Sequence, residues 1–161
     1  YMLLNALEVE KLLQTNEKGA KAQVGYDLTV KEIKKVNGGI VMADKTIVEN
    51  YSEILPQTNA NGKLIFKLEA GTYSLTFEQG VKLPTNRTAF IRHRSSILRC
   101  GGIITSGVYD SGFAVDEMGA VLIATQPIII ERGARVAQII VFENYEAEAY
   151  SGQWQKEKDV K

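Results

Sequence analysis

Three short strings in the second half of the chain hold residue types suited to handling an anion and a water molecule. Arg94-Ser95-Ser96-Ile97-Leu98-Arg99-Cys100-Gly101 sets a guanidinium and two hydroxyls at the start of a short helical stretch. If the serines cap that helix, a phosphate oxygen would find charge, hydroxyls and free backbone N–H groups together. Read locally, the same string is also a simple N-cap beside a surface arginine. Gly107-Val108-Tyr109-Asp110-Ser111-Gly112-Phe113 ends a strand on a carboxylate between turns that glycine permits. Asp110 could orient or deprotonate a water there, or close an Asx turn. Glu131-Arg132-Gly133-Ala134-Arg135-Val136-Ala137-Gln138-Ile139-Ile140 gives a tight turn and then a strand with an amide among apolar neighbours. Gln138 must find partners or cost free energy, and backbone groups alone could supply them.

Those strings need a scaffold, and composition bounds it. The 161 residues suit one domain, 1–161, which can bury most of its apolar surface without disulfides or structural metals. The 19 basic and 19 acidic side chains cancel, and neither sign forms a block. The sequence therefore shows no broad footprint for nucleic acid or an acidic membrane, and an anionic ligand would be held locally. Cys100 is the single cysteine, which excludes an intramolecular disulfide framework and fits a reducing compartment. With no bilayer-length apolar run and acids in Tyr1 to Glu10, the expectation is a soluble, cytoplasmic protein.

Leu3, Leu4, Leu7, Leu12 and Leu13 recur near helical spacing, predicting one short N-terminal helix before Gly19. From Gly25 onward the period changes. Leu28 and Val30 alternate with polar neighbours, and Asn37-Gly38-Gly39 predicts a hairpin break before Ile40. Strands are then expected at Leu64 to Leu68, Tyr73 to Phe77, Ala89 to His93, Ile103 to Tyr109, Ala120 to Thr125, Ile128 to Ile130 and Val136 to Phe142. Many short strands without alternating helices predict a mainly β fold, a distorted antiparallel barrel or jelly roll. Residues 151–161 are polar and charged apart from Trp154 and Val160, and are expected to form a mobile tail.

Taken in order, the strings resemble the active-site motifs of the trimeric dUTPase and dCTP deaminase superfamily, most like its compact dUTPases. Gln23-Val24-Gly25-Tyr26-Asp27-Leu28 is similar to the first motif, Arg94-Ser95-Ser96 to the second, Gly107 to Phe113 to the third, and Gly133 to Gln138 to the fourth. The ending Tyr150-Ser151-Gly152-Gln153-Trp154-Gln155 resembles the family's tyrosine, glycine, aromatic, glutamine tail. No such string covers Lys31 to Asn61.

The resemblance implies hydrolysis of dUTP to dUMP and pyrophosphate, with Asp110 activating the water that attacks the α-phosphorus. Arg94, Ser95, Ser96, Gln138 and Tyr150 would hold phosphate oxygens. Gly107, Val108, Tyr109, Phe113, Trp154 and Gln155 would meet base and sugar. Mg2+ would accompany the triphosphate, with Asp27 reaching it through water. Arg135 stays open between a phosphate contact and a solvated strand residue, and His93, flanked by two arginines, fits no family role. The implied assembly is a homotrimer with shared sites. Deamination of dCTP, alone or in a bifunctional deaminase and diphosphatase, is the alternative activity on this scaffold, and it needs a glutamate on the strand after the third motif. Gly119 to Thr125 has no carboxylate, although a slip in Ala114 to Met118 would bring Asp116 or Glu117 closer. A non-catalytic dUTP-binding relative is the third reading.

Overall fold

The computed structural model describes residues 2–14, 18–44, 47–145, 147–152 and 154. Helix α1 (Ala6–Glu10) and strand β1 (Ala20–Lys21) lead into the long strand β2 (Tyr26–Val41). There follow β3 (Ile47–Glu53), β4 (Gln57–Thr58), β5 (Leu64–Leu68), β6 (Gly71–Phe77), β7 (Val81–Lys82) and β8 (Arg87–His93). After helix α2 (Ser95–Arg99) come β9 (Gly102–Thr105), β10 (Ala114–Val115), β11 (Gly119–Ala124), β12 (Ile128–Glu131) and β13 (Arg135–Glu143).

The main sheet runs β1-β2-β13-β8-β9-β11-β6, with β3 branching from β2. Its neighbours are antiparallel. Residues 26–29 of β2 pair with β13 and residues 30–35 with β6, while its far end pairs with β3. One strand thus spans both ends of the sheet and curls it into the expected distorted barrel. The β8–β9 seam rests on the register pair Arg92 and Thr105, so the curl is uneven. Two smaller sheets, β10-β7 and β12-β5-β4, complete the β architecture.

Side-chain alternation explains the inside. On β11, Ala120, Leu122 and Ala124 point inward while Val121 and Ile123 point out. Tyr73, Leu75 and Phe77 of β6 do the same. With Leu28, Val30, Ile91, Ile104, Met118 and Ile139 they form one core, in which each large side chain contributes about 1.5–3 kcal/mol by leaving water. Polar groups in the core are paired. The Gln79 amide donates to the Thr29 hydroxyl (2.7 Å) and accepts from the Thr29 N–H (2.9 Å), fixing β2 two residues from Asp27.

The expected short N-terminal helix is present, and two other local expectations need correction. That helix is α1; Asn5 caps it by accepting the Glu8 N–H at 3.0 Å, and the chain leaves helical geometry before Leu13. Asn37-Gly38-Gly39 does not end a strand. β2 passes through it with a register shift between Val36 and Gly39, Gly38 taking φ 84°, and the chain turns after Val41 instead. A bulge and a turn call for the same residues, so composition alone cannot separate them. The strand expected to reach Tyr109 stops at Thr105, and Tyr109 keeps only an isolated bridge to Ala89.

Candidate functional site

Asp27 on β2 lies directly opposite Gln138 on β13, and Gln138 lies opposite Arg92 on β8. Cross-strand neighbours share a face, so these strands bring motif one against motif four beside the end of β8, where Arg94 follows. The Arg94 N–H bonds to the Val136 carbonyl at 3.0 Å, which fixes that end of β8 to β13. Gly25 permits the close approach: a Cβ there would lie 2.8 Å from Gln138 Cγ and press on the Ile139 carbonyl.

The result is an open cleft of about 550 Å³ at Asp27, Arg94, Ser95, Arg135 and Gln138, with Lys21, Ala22, Gln23 and His93 on its walls. Arg94 Nε lies 3.0 Å and Arg135 Nη1 3.5 Å from Asp27 Oδ2, while Gln138 Nε2 donates to Oδ1 at 3.4 Å. Arg135, left open by its sequence, therefore belongs to the cleft. Arg94 Nη1 also donates to the Arg135 carbonyl at 3.2 Å. The N-cap of α2 is Arg94, not a serine; Ser95 and Ser96 are its exposed first two residues, and no side-chain bond caps the helix. Their hydroxyls thus carry no capping duty.

Lys21 and His93 are wall residues whose place the sequence did not indicate. Lys21 reaches the cleft because the two-residue strand β1 folds back on Tyr26 and Asp27, and its Nζ pairs with Glu10 at 3.2 Å. A strand that short leaves no periodicity to read. The His93 ring meets the Ile104 backbone through Nδ1, 3.3 Å from the carbonyl oxygen.

Motif three lies outside this cleft in the same chain. Asp110 is exposed, and among the described residues no ion pair engages its carboxylate. Its carbonyl accepts the Phe113 N–H at 3.0 Å, closing a turn in which Gly112 takes φ 80°. The loop before it is held by Ser106, whose hydroxyl accepts the Ile91 N–H (2.9 Å) and donates to the Gly107 carbonyl (2.7 Å). Gly107 and Val108 are exposed, with open space where a Gly107 Cβ would stand. Their backbone can meet a flat ligand edge.

The aromatic expectations change. The Tyr109 side chain is buried and bonded to Gly119, so a contact with a base would fall to its backbone. Burial pushes its hydroxyl up to about 12, against the opposing bond to Gly119. Phe113 is also in the core, 4.8 Å from the Tyr109 ring centroid and 5.3 Å from that of Tyr150, which meets it edge-on. Tyr150 thus covers motif three through its ring and the bond from its N–H to the Ser111 carbonyl (2.8 Å), and it does not line the Asp27 cleft. The Trp154 N–H donates to the Tyr150 hydroxyl at 3.3 Å. Gln155 lies outside the described residues.

The outward positions of β11 are Val121 and Ile123, without a carboxylate. Asp116 and Glu117 occupy the exposed turn before it, where Glu117 pairs with Lys31 of β2. Nor does the cleft fit a Mg2+ ion ligated directly by Asp27, as distinct from one reached through water. That ion takes oxygen ligands in octahedral geometry, whereas the groups around this carboxylate are two guanidiniums and an amide N–H. Among the described residues no cluster of three His, Cys, Asp or Glu side chains offers a cage, and no helix is long and apolar enough to cross a membrane.

Solved structures share this architecture. A 2′-deoxycytidine 5′-triphosphate deaminase from Agrobacterium tumefaciens superposes with TM-score 0.61 at 17% identity, covering 86% of this chain and 46% of the deaminase. This chain therefore spans less than half of that protein. The EIAV dUTPase superposes with TM-score 0.53 at 16% identity over 96% of this chain and 99% of the other. The barrel is thus a dUTPase-like fold.

Sequence relatives narrow the class. A probable deoxyuridine 5′-triphosphate nucleotidohydrolase of Methanosarcina acetivorans is 30% identical over 98% of this chain and 88% of its own length. The deoxyuridine 5′-triphosphate nucleotidohydrolase of Methanocaldococcus jannaschii is 31% identical over 88% and 90%. The dCTP deaminase-like family model matches residues 3–144, and the chain belongs to that family, within the dUTPase and dCTP deaminase superfamily.

Proposed function

We propose that the chain is a dUTP diphosphatase, hydrolysing dUTP to dUMP and pyrophosphate. The observation that carries this reading is Asp110, an exposed carboxylate on a pinned turn, in a chain whose relatives are named for that hydrolysis. Asp110 takes a proton from a water whose oxygen attacks the α-phosphorus. The bond from that phosphorus to the bridging oxygen breaks, and pyrophosphate leaves. Arg94, Ser95, Arg135 and Gln138 bind phosphate oxygens from the Asp27 cleft, with Ser96 beside them, and stabilise charge developing in the transition state. The backbone at Gly107 and Val108 selects uracil by pairing with its edge. Among the described residues no carboxylate, His or Cys cluster forms a cage for Mg2+, so such an ion would be held by the triphosphate's own oxygens.

Asp110 and the Asp27 cleft lie apart in one chain, which supports sites shared between subunits of a homotrimer. The apolar outer face of β11 favours hydrolysis over deamination, because it lacks the carboxylate that would shuttle protons at a cytosine amino group. The test is incubation with each deoxynucleoside triphosphate and Mg2+, with separate assays for pyrophosphate and ammonia. Pyrophosphate from dUTP and no ammonia from dCTP is expected. Ammonia release at a comparable rate would overturn the reading.

A further inference from the structure

Asp27 sits beneath the groups it touches. Its side chain is 4% exposed, against 34% for Arg94 and 47% for Arg135. A carboxylate at that depth needs partners, and it has them on both oxygens: Arg94 and Arg135 on Oδ2, Gln138 on Oδ1. A guanidinium carries five N–H donors. Arg94 directs Nε to Asp27 and Nη1 to the Arg135 carbonyl, and Arg135 directs Nη1 to Asp27. Both side chains line the cleft, and among the described residues their remaining donors have no other bond. The carboxylate is the floor, and the cations stand on it facing solvent.

We infer that Asp27 is a positioning residue: its buried carboxylate fixes Arg94, Arg135 and Gln138 as a preformed clamp that binds a polyphosphate anion without a divalent cation. Fixing the donors before the ligand arrives removes an ordering cost from binding. Mere field strength argues the other way, since deleting a negative charge beside an anion should tighten its binding. This inference rests on the proposed function in seating the triphosphate in this cleft, and its test uses no nucleotide, so the two can fail separately.

The experiment is calorimetric titration of inorganic pyrophosphate into the protein in EDTA, repeated with Asp27→Asn and Arg135→Met. A parallel titration follows Mn2+ binding by spin resonance without anion. Wild type should bind pyrophosphate in EDTA, and Asp27→Asn should weaken it about tenfold or more, as expected for disordered charge-assisted bonds. Arg135→Met, at a more exposed position, should weaken it several-fold and decides the matter if the Asp27 variant does not fold. Mn2+ binding to free wild-type protein should show no dependence on either residue. Pyrophosphate binding that requires Mg2+, that tightens in Asp27→Asn, or that is unchanged in Arg135→Met would overturn the inference. So would a Mn2+ site lost with Asp27. If pyrophosphate behaves as expected but dUTP is not hydrolysed, the proposed function falls and the clamp stands.

Discussion

Tyr109 and Gly119 exchange two hydrogen bonds: the phenol donates to the Gly119 carbonyl at 2.7 Å and accepts the Gly119 N–H at 3.1 Å. This ties the residue before Asp110 to the first residue of β11. Tyr109→Phe keeps the ring but leaves two backbone groups short of a partner. It should cost about 1–3 kcal/mol in denaturant unfolding and slow dUTP turnover by loosening the loop that aims Asp110. Wild-type stability and turnover in this variant would show that the tether is dispensable.

The same hydroxyl sets an alkaline limit. Its value rises from the ordinary 10.0 to about 12 on folding because burial disfavours the phenolate. The stability this contributes is complete below pH 10 and is lost as pH rises through about 12. Tyr109→Phe should remove that part of the alkaline fall.

Glu78 works in the opposite direction. Burial pushes its carboxyl up, but hydrogen bonds from Thr29 and Lys18, with the Lys18 and Arg132 charges, outweigh burial and hold it below the ordinary 4.5. Its contribution is present above pH 4.5 and lost as pH falls through the lowered value. Unfolding midpoints of wild type and Glu78→Gln should therefore converge in acid, and a gap that persists there would contradict the assignment.

Asp110→Asn preserves size but cannot take the proton. Turnover should fall by about 10²–10⁴, while a nonhydrolysable dUTP analogue still binds. Single-turnover kinetics beside equilibrium binding separate the two, and unchanged turnover would remove Asp110 as the base.

Motif order and strand periodicity make much of this cleft legible in the sequence. Asp27, Arg94, Ser95 and Gln138 converge because Asp27 and Gln138 are cross-strand partners and β8 runs beside them. What stayed hidden depended on distant partners. Tyr109 and Phe113 look equally exposed in a turn-rich string, and their burial depends on Gly119, Tyr150 and each other, partners that the string itself does not show. Asp27 reads as a strand-end carboxylate, whereas its role depends on Arg94 and Arg135, which are 67 and 108 positions away. The bulge at Gly38 was hidden for a local reason, since a left-handed glycine serves turn and bulge alike.

Sharing of sites between subunits gives the most demanding prediction. Asp110 is not among the residues lining the Asp27 cleft of its own chain. If each site takes Arg94 from one subunit and Asp110 from the next around a threefold axis, sedimentation should give a trimer, and two dead variants should rescue each other. Arg94→Met and Asp110→Asn homotrimers are each expected to be inactive. Unfolded together in equal amounts and refolded, they form mixed trimers in which some sites pair an intact Arg94 with an intact Asp110. Random assembly puts both at about a quarter of sites, so roughly that share of wild-type turnover should return. A site built within one chain cannot be repaired this way, because every subunit carries one lesion. No activity above the separate variants, in a mixture shown by mass to contain mixed trimers, would place Asp110 and Arg94 in the same subunit's site.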